Sequence, residues 1–158
     1  MLLKILYPAT GLTADSIWIL HSDPKLSLGT IQRTAIQSTT HFAFFDRLDE
    51  VKKLIGLCGK NYLSQDQQLR ANHLEDICSG SGFNLERIAS LQPDLLLLYP
   101  FEQKDIERFH RLGIKTLFIT EYLEPTPLGR AEWLKLFGVL TNSDKAISIF
   151  NEIEQDYL

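Results

Sequence analysis

The feature that most constrains the fold is an unbroken apolar run, Leu95–Leu98, which follows a segment with helical spacing. A short, fully apolar run of this kind is typical of a parallel strand that is buried on both faces of a sheet. In the segment before it, Asn84 is a good helix N-cap, and apolar residues recur at helical spacing as far as Leu91. Pro93 then ends the predicted helix before the strand begins.

The alternation of helix and strand continues on both sides of this segment. Downstream, a helix is predicted around Ile106–Leu112, and Gly113 ends it before the strand Lys115–Thr120. Upstream, the predicted strands are Ile31–Gln37 and Leu54–Cys58. Strands that alternate with helices indicate a parallel sheet with helices on both faces, which is an α/β, three-layer αβα lobe.

The connection between the two upstream strands is predicted to be helical. Ser38 and the two threonines after it offer hydroxyl caps, and the inner side of the helix runs from Phe42 to Leu54. At the carboxyl end of the chain, Ala146, Phe150, Ile153 and Tyr157 lie on one stripe of an amphipathic helix. The predicted organisation is a β-hairpin (Leu2–Tyr7 with Ile17–His21) and linker over residues 1–30, the α/β lobe over 31–140, and the start of a long helix over 141–158.

The composition narrows the function classes. The chain has 158 residues, a net charge of −4 and 44% hydrophobic residues, which is an ordinary globular composition. The acidic balance argues against nucleic acid, and no apolar run approaches the ~20 residues that a membrane-spanning helix needs. Cys58 and Cys78 are compatible with a disulfide in an exported protein, but we interpret both as small buried hydrophobic residues.

Parallel strands carry their following loops to one edge of the sheet, where open α/β sheets bind ligands. The predicted edge loops are Ser38–His41, Gly59–Leu63, Tyr99–Glu102 and Glu121–Arg130. The last of these is predicted to be a rigid polar loop, because Pro125 and Pro127 fix its backbone.

Several segments carry a family resemblance. The pattern N-L-E-x-I-x-x-L-x-P-D-L from Asn84, with L-G-I-K at Leu112–Lys115, resembles the substrate-binding proteins of iron-siderophore, haem and cobalamin ABC importers. The segment EYLEPTPLGRAEW (Glu121–Trp133), with Gln37–His41 and Phe150–Tyr157, resembles a branch of that family common in Bacteroidetes-type bacteria. The similarity extends from about Ile31 to the last residue.

The resemblance implies a function and a location. It implies a protein that captures an iron complex or cobalamin, delivers it to a permease and performs no chemistry. It also implies two lobes joined by a long helix, of which this chain would be the amino-terminal one, and no intrinsic cofactor, the iron or cobalt belonging to the ligand. The implied location is the periplasm, either free or tethered as a lipoprotein, with an export signal that has been removed.

Thr40 and His41 are the first candidate ligand-binding residues. They open a predicted helix, where free backbone N–H groups and the helix dipole favour an anion. His41 could coordinate a haem iron or contact a siderophore oxygen. The alternative is that Ser38 or Thr39 only caps the helix and that His41 is a surface histidine.

Aromatic residues form the second candidate group. Large flat ligands suit aromatic walls, which offer contact area at a low entropic cost. Tyr62 and Tyr99 are the stronger candidates because each also carries a hydroxyl group. Phe83 and Phe101 are candidates too, with the alternative that they only pack against the helices that follow them.

The segment after the last strand contributes Glu121, Tyr122 and Arg130. Arginine could clamp a carboxylate or a propionate in bidentate fashion. The alternative is that Arg130 pairs with Glu121 or Glu124 and only braces the segment. Elsewhere in the chain, the cysteines and two of the histidines do not have the spacing of a structural zinc site: Cys58, Cys78, His41 and His73.

Two further expectations concern partners. In the family that the chain resembles, a surface glutamate on each lobe docks onto the permease, and Glu102 matches it best, with Glu107 as the alternative. The apolar residues Ile147 and Tyr157 are expected to be exposed, which favours association through the last helix. The alternative function is a small flavodoxin-like enzyme that uses the same edge loops, although no nucleophile elbow, P-loop or dinucleotide motif is present.

Overall fold

The computed structural model describes residues 2–4, 18–20, 31–80, 82–100 and 103–158. The chain divides into two compact units, residues 1–30 and 31–158. In the first unit, strands β1 (Leu2–Lys4) and β2 (Trp18–Leu20) pair antiparallel, with Leu2 opposite Leu20. This is the strand pairing predicted for the hairpin.

The second unit contains seven described strands: β3 (Thr34–Ile36), β4 (Leu54–Leu57), β5 (Glu75–Asp76), β6 (Cys78–Ser79), β7 (Gly82–Phe83), β8 (Leu95–Leu98) and β9 (Thr116–Phe118). Five of them form a parallel sheet in the order β5-β4-β3-β8-β9. The other two, β6 and β7, form a short antiparallel pair apart from this sheet. The predicted α/β fold is therefore confirmed.

Helices connect these strands and continue beyond the last one. Among the described residues, three short 3-10 turns precede or follow strands: Val51–Lys53, Lys60–Tyr62 and Glu121–Leu123. The helices are α1 (Thr39–Arg47), α2 (Gln65–Arg70), α3 (Leu85–Leu91), α4 (Gln103–Arg111), α5 (Pro127–Glu132), α6 (Leu134–Thr141) and α7 (Lys145–Tyr157).

The four-leucine run has the predicted role. All residues of β8 are buried, and β8 pairs with β3 on one side and β9 on the other. Helix α3 ends one residue earlier than Pro93 would require, because Gln92 adopts a left-handed conformation (φ 47°) and caps it. The core cluster beside this strand includes Ile88, Phe109 and Ile114.

Helix α1 is shorter than predicted. It begins at Thr39 as expected, but it ends at Arg47, and Asp49 then adopts a positive φ of 60°. The left-handed residue turns the chain, so Val51 lies in a 3-10 turn and Leu54 begins β4. The prediction that the helical inner face reaches Leu54 is wrong, because a single turn residue resets the phase of the pattern.

The segment Glu121–Arg130 is not one rigid loop. It contains a 3-10 turn at its start, and from Pro127 it is helical. Thr126 caps α5 by accepting a hydrogen bond from Gly129 N, and Pro127 occupies the first helical position, where its missing N–H costs nothing. The prolines were interpreted as loop residues, whereas one of them starts a helix.

Helix α7 packs through the predicted side. It begins at Lys145, and Ala146 and Phe150 are buried, whereas Ile153 is only partly buried. Ile147 and Tyr157 are about half exposed, as expected. Association through this exposed face stays a prediction.

The two cysteines form a disulfide, so their interpretation as unpaired buried residues is wrong. Ile77 N donates to Leu57 O across the edge of the sheet, and this contact places Cys78 beside Cys58, with their Cα atoms 5.1 Å apart. The bridge joins the end of β4 to β6 across 20 residues of sequence. Strand pairing, which the sequence pattern did not show at β5, brings the two residues together.

Candidate ligand-binding site

The candidate site lies where β3, β8 and β9 end. The loops after β3 and β8 are joined by two hydrogen bonds: Gln37 N donates to Leu97 O, and Tyr99 N donates to Gln37 Oε1 at 2.6 Å. On the other side, Ile119 N donates to Leu98 O and brings the residues after β9 alongside. The polar residues that follow the three strands are therefore held close together.

The start of α1 determines where His41 points. Ser38 has an extended backbone, and its Oγ accepts a hydrogen bond from Thr40 N at 3.1 Å, which is an N-cap. This geometry leaves Thr40 exposed and turns His41 inward, where it is 0% exposed. The alternative of a surface histidine is therefore wrong.

His41 is enclosed by aromatic rings and one carboxylate. Its ring meets the Tyr99 ring edge-on at a centroid distance of 4.9 Å, and the Phe137 ring lies 6.3 Å away. His41 Nε2 lies 3.8 Å from Glu121 Oε2, which is close enough for an ion pair when the imidazole is protonated. Within the described part of the chain, neither nitrogen of this ring has a hydrogen-bond partner.

Glu121 is the buried carboxylate of the site, with 2% exposure. Its Oε1 accepts a hydrogen bond from the Tyr99 hydroxyl at 2.9 Å. Burial raises the pKa of Glu121, but the neighbouring His41 and the Tyr99 hydroxyl outweigh it, so the pKa lies below the ordinary carboxyl value. The side chain is therefore ionised at neutral pH although almost no water reaches it.

Tyr99 links the buried residues to the surface. Its hydroxyl also lies 2.9 Å from Ser38 Oγ, and its half-buried ring meets the Tyr122 ring edge-on at 5.0 Å. Burial and the negative charge of Glu121 both raise the pKa of Tyr99, although hydrogen bonds to Ser38 and Thr40 lower it. The pKa of Tyr122 is raised by burial and by the same charge.

The structure thus brings together five of the predicted residues. At one edge of the sheet, His41 and Glu121 form a buried floor, Tyr99 and Tyr122 form a partly exposed aromatic wall, and Thr40 is exposed beside them. Ser38 was predicted only to cap the helix, and no role was predicted for Gln37. Their position directly after a buried strand was the signal that could have identified them.

Tyr62 lies at the neighbouring strand. It ends the 3-10 turn after β4, next to Gly59, whose positive φ of 73° bends the chain there. Its side chain is 82% exposed. A role for Tyr62 in ligand contact stays a prediction.

Phe83 takes part in packing. Its ring meets the Phe109 ring edge-on at 5.4 Å, and it lies against the core beside β8. This ring contact is with α4 and not with α3, the helix that follows Phe83, so a role for Phe83 in ligand contact stays a prediction. Phe101 and Glu102 lie outside the described residues, and Glu107 is exposed on α4.

Arg130 is exposed and braces its own segment. Its Nε donates to the backbone carbonyl of Glu124 at 3.2 Å, whereas the Glu124 carboxylate accepts from Trp133 Nε1 at 3.1 Å. The bracing alternative is therefore favoured, but through a carbonyl oxygen and not through a carboxylate. Because this bond uses only the Nε–H of the guanidinium, a clamp on a ligand carboxylate through the Nη groups stays a prediction.

Other features of the surface carry less chemistry. Beside Tyr62, an open groove of about 880 Å³ is lined by polar residues such as Lys60, Gln68 and Asp76, with Leu69 among them. Over the described ranges, no three His, Cys, Asp or Glu residues are grouped to hold a metal ion. No helix in those ranges is both long and apolar enough to cross a membrane.

No family model matches the chain, but curated proteins and solved structures similar to it are known. Two curated relatives are uncharacterized lipoproteins of Methanocaldococcus jannaschii, one 29% identical over 81% of this chain and the other 36% identical over 44% of it. The chain spans 34% and 18% of their respective lengths.

Solved structures with the same fold include several solute-binding proteins. The petrobactin-binding protein YclQ of Bacillus subtilis has a TM-score of 0.68 at 12% identity, over 98% of this chain and 50% of its own. The iron-uptake substrate-binding protein PiuA of Streptococcus pneumoniae has a TM-score of 0.66 at 16% identity, over 90% and 48%. The siderophore-binding protein BauB, solved with ferric iron and acinetobactin, has a TM-score of 0.63 at 21% identity, over 80% and 46%.

These structures show that the chain has the fold of one lobe of a periplasmic solute-binding protein. The chain spans about half the length of the solved proteins that it matches. The resemblance drawn from the sequence motifs is therefore confirmed at the level of the fold.

Proposed function

We propose that this chain forms one wall of the ligand site of an ABC importer's substrate-binding protein. The observation that carries the proposal is the aromatic wall of Tyr99 and Tyr122, which stands at the carboxyl edge of a parallel sheet in this fold. That edge is the general ligand-binding position of open α/β sheets. The buried contacts behind Tyr99 fix its position before any ligand arrives.

The proposed ligand is an iron complex, either a ferric siderophore or haem. Such ligands are large and partly flat, so they gain contact area from aromatic rings. Solved proteins of the same fold include a petrobactin-binding protein, a protein bound to ferric acinetobactin and a haem-binding protein. Cobalamin is the third ligand that the sequence motifs imply.

The proposal includes an extracytoplasmic location and delivery of the ligand to a permease. Both curated relatives are named as lipoproteins, and PiuA is named as an ABC transporter protein. The bridge between Cys58 and Cys78 adds independent support, because structural disulfides persist in oxidising compartments outside the cytoplasm. Docking of the permease on Glu102 or Glu107 is part of the same proposal.

A flavodoxin-like enzyme is the less favoured alternative. The titratable pair at this edge, His41 with Glu121, is enclosed beneath Tyr99, so a substrate in solution does not reach it. The solved proteins of the same fold named above are solute-binding proteins. An enzyme would need an acid, base or nucleophile open to the cleft.

Binding of defined probes tests the proposed function. We expect hemin, a ferric tris-catecholate or cyanocobalamin to quench tryptophan fluorescence of the chain, and calorimetry to give the affinity. Tyr99→Ala should weaken binding of the same probe by about tenfold or more, because it removes an aromatic contact from the wall. Glu124→Gln is the matched control, since Glu124 lies in the same segment but contacts Trp133. Failure of all three probes to bind would contradict the proposal.

A further inference from the structure

The hydrogen bonds around Tyr99 form one continuous chain. Thr40 N donates to Ser38 Oγ at 3.1 Å, and the oxygens of Ser38 and Tyr99 lie 2.9 Å apart. The Tyr99 oxygen lies 2.9 Å from Glu121 Oε1. These hydrogen bonds therefore run from the first turn of α1 to the start of the 3-10 turn Glu121–Leu123, beyond β9.

Counting donors and acceptors gives this chain a direction. An ionised carboxylate only accepts hydrogen bonds, so the single proton of the Tyr99 hydroxyl must point to Glu121. In its contact with Ser38 the Tyr99 oxygen can then only be the acceptor, so the Ser38 hydroxyl proton points toward it. The Thr40 side chain is a second hydrogen-bond partner of the same oxygen. Ser38 Oγ in turn accepts from Thr40 N, so every group in the chain is satisfied in one direction.

The direction of these hydrogen bonds restricts which atoms of Tyr99 can contact a ligand. Its proton is committed to a buried carboxylate, and its oxygen already accepts a hydrogen bond. A phenolate at this position would place a second negative charge 2.9 Å from Glu121, in a site with little water to screen it. Part of the Tyr99 side chain is exposed, because the residue is only half buried.

We propose that Glu121 and Ser38 are positioning residues that hold Tyr99 as a neutral phenol, so that its ring and not its oxygen contacts the ligand. Tyr99 is then a wall residue and not an iron ligand. The part of this inference that concerns the ligand rests on the proposed function. The part that concerns Tyr99 itself does not.

The first test measures the titration of Tyr99 by NMR of ring-labelled tyrosine, with Tyr99→Phe to assign the signal. Glu121→Gln removes the negative charge, so the pKa of Tyr99 should fall. Ser38→Ala removes a donor to the Tyr99 oxygen, so the pKa should rise, and Ser38→Thr, which keeps the hydroxyl, should restore it. If the two substitutions only loosened the site, the pKa of Tyr99 would instead fall in both variants, toward that of an exposed tyrosine.

The opposite signs make this test decisive. Circular dichroism confirms that each variant is folded, and Glu124→Gln is the control for any disturbance of the segment after β9. The inference is overturned if Glu121→Gln and Ser38→Ala shift the pKa in the same direction, or if neither shifts it. No ligand is needed for this measurement.

The second test compares Tyr99→Phe with Tyr99→Ala, using hemin and a ferric tris-catecholate as probes. If the ring makes the contact, Tyr99→Phe should bind within about threefold of the wild-type chain, whereas Tyr99→Ala should lose about tenfold or more. Equal losses in the two variants, with loss of a phenolate-to-iron absorption band, would overturn the inference. If the wild-type chain binds neither probe, the proposed function fails for iron complexes, while the titration still decides the positioning of Tyr99.

Discussion

Glu121 is the residue on which the polar contacts of the site converge. One carboxylate oxygen accepts from Tyr99, and the other faces the imidazole of His41 at 3.8 Å. A buried carboxylate is costly unless neighbouring groups compensate its charge. Burial raises the pKa of Glu121, but His41 and the Tyr99 hydroxyl lower it by more, so the pKa lies below the ordinary carboxyl value.

The lowered pKa predicts how acid affects stability. Because the pKa of Glu121 in the folded chain lies below its ordinary value, the contribution of its charge to stability is complete above the ordinary carboxyl pKa. That contribution is lost as the pH falls through the lowered value. We expect Glu121→Gln to be less stable than the wild-type chain at neutral pH, and the difference to shrink on acidification.

Urea unfolding at a series of pH values measures this difference. Glu124→Gln serves as the control, because Glu124 lies in the same segment as Glu121 and its carboxylate contacts Trp133 instead. A difference between wild type and Glu121→Gln that stays constant from neutral to acid pH would contradict the prediction. It would show that packing, and not charge, is what the substitution removes.

At the scale of elements, α6 and α7 pack closely against each other at Gly138 and Ala146. A Cβ atom added at Gly138 would collide with the Cβ of Ala146, so glycine is required for the two helices to approach. We expect Gly138→Ala to lower the free energy of unfolding by about 1–3 kcal/mol through overpacking. This loss would appear although alanine favours a helix by about 1 kcal/mol over glycine.

Gly82→Ala is the matched control for this prediction. A Cβ at Gly82 meets nothing within 4 Å, and its φ is not positive. We expect a change within about 0.5 kcal/mol, as for other substitutions away from packed sites. Chemical denaturation of both variants measures the effect, and equal changes in the two would refute the packing argument.

The disulfide between Cys58 and Cys78 leads to a second prediction at the scale of elements. It connects β4 to β6 and closes a segment that carries Tyr62 and α2. Replacing both Cys58 and Cys78 by alanine should lower the free energy of unfolding by about 2–4 kcal/mol, because the unfolded chain gains freedom. The reduced wild-type chain should behave like the double variant, and the double variant should not respond to reductant.

Urea denaturation of the wild-type chain and of the double variant, each with and without dithiothreitol, gives the four unfolding curves to compare. If reductant leaves the wild-type curve unchanged, either the bridge does not form in solution or it contributes no stability. That outcome would also remove one support for an extracytoplasmic location. Agreement between reduced wild type and double variant would exclude a packing effect of the substitutions.

At the scale of the whole molecule, the described residues supply one wall of the proposed ligand site. A closed pocket buries most of its ligand, whereas one wall leaves a large part of it in water. Each contact must also offset the loss of translational freedom on binding, so affinity falls by more than the share of lost contacts. We expect this 158-residue chain to bind a ferric tris-catecholate more weakly than a two-lobed solute-binding protein that recognises the same complex.

Calorimetry on both proteins with the same probe makes the comparison. The affinity of the Tyr62→Ala variant for the same probe tests whether the proposed site extends to the end of β4, because Tyr62 follows that strand and is exposed. Equal affinity in the two proteins would show that one wall suffices. A loss with Tyr62→Ala would extend the site beyond the wall of Tyr99 and Tyr122.

The amino-acid sequence by itself determined the local elements and their order. The leucines of β8, the cap at Asn84 and the stripe of α7 follow periodicities that a few consecutive residues establish. The alternation of these elements led to a parallel sheet, and the sheet led to its carboxyl edge as the candidate site. Each of these steps depends on contacts between residues that are close in sequence.

Only the tertiary structure decided which polar residues meet. Tyr99 lies 61 positions from Ser38 and 22 positions from Glu121, yet its hydroxyl joins both. His41 is buried because α6 and the residue after β9 cover it, and no local pattern distinguishes it from a surface histidine. The pairing of Cys58 with Cys78 likewise depends on where β5 docks. Burial and pairing are properties of packed surfaces, so they follow from the arrangement of elements and not from the spacing within any one of them.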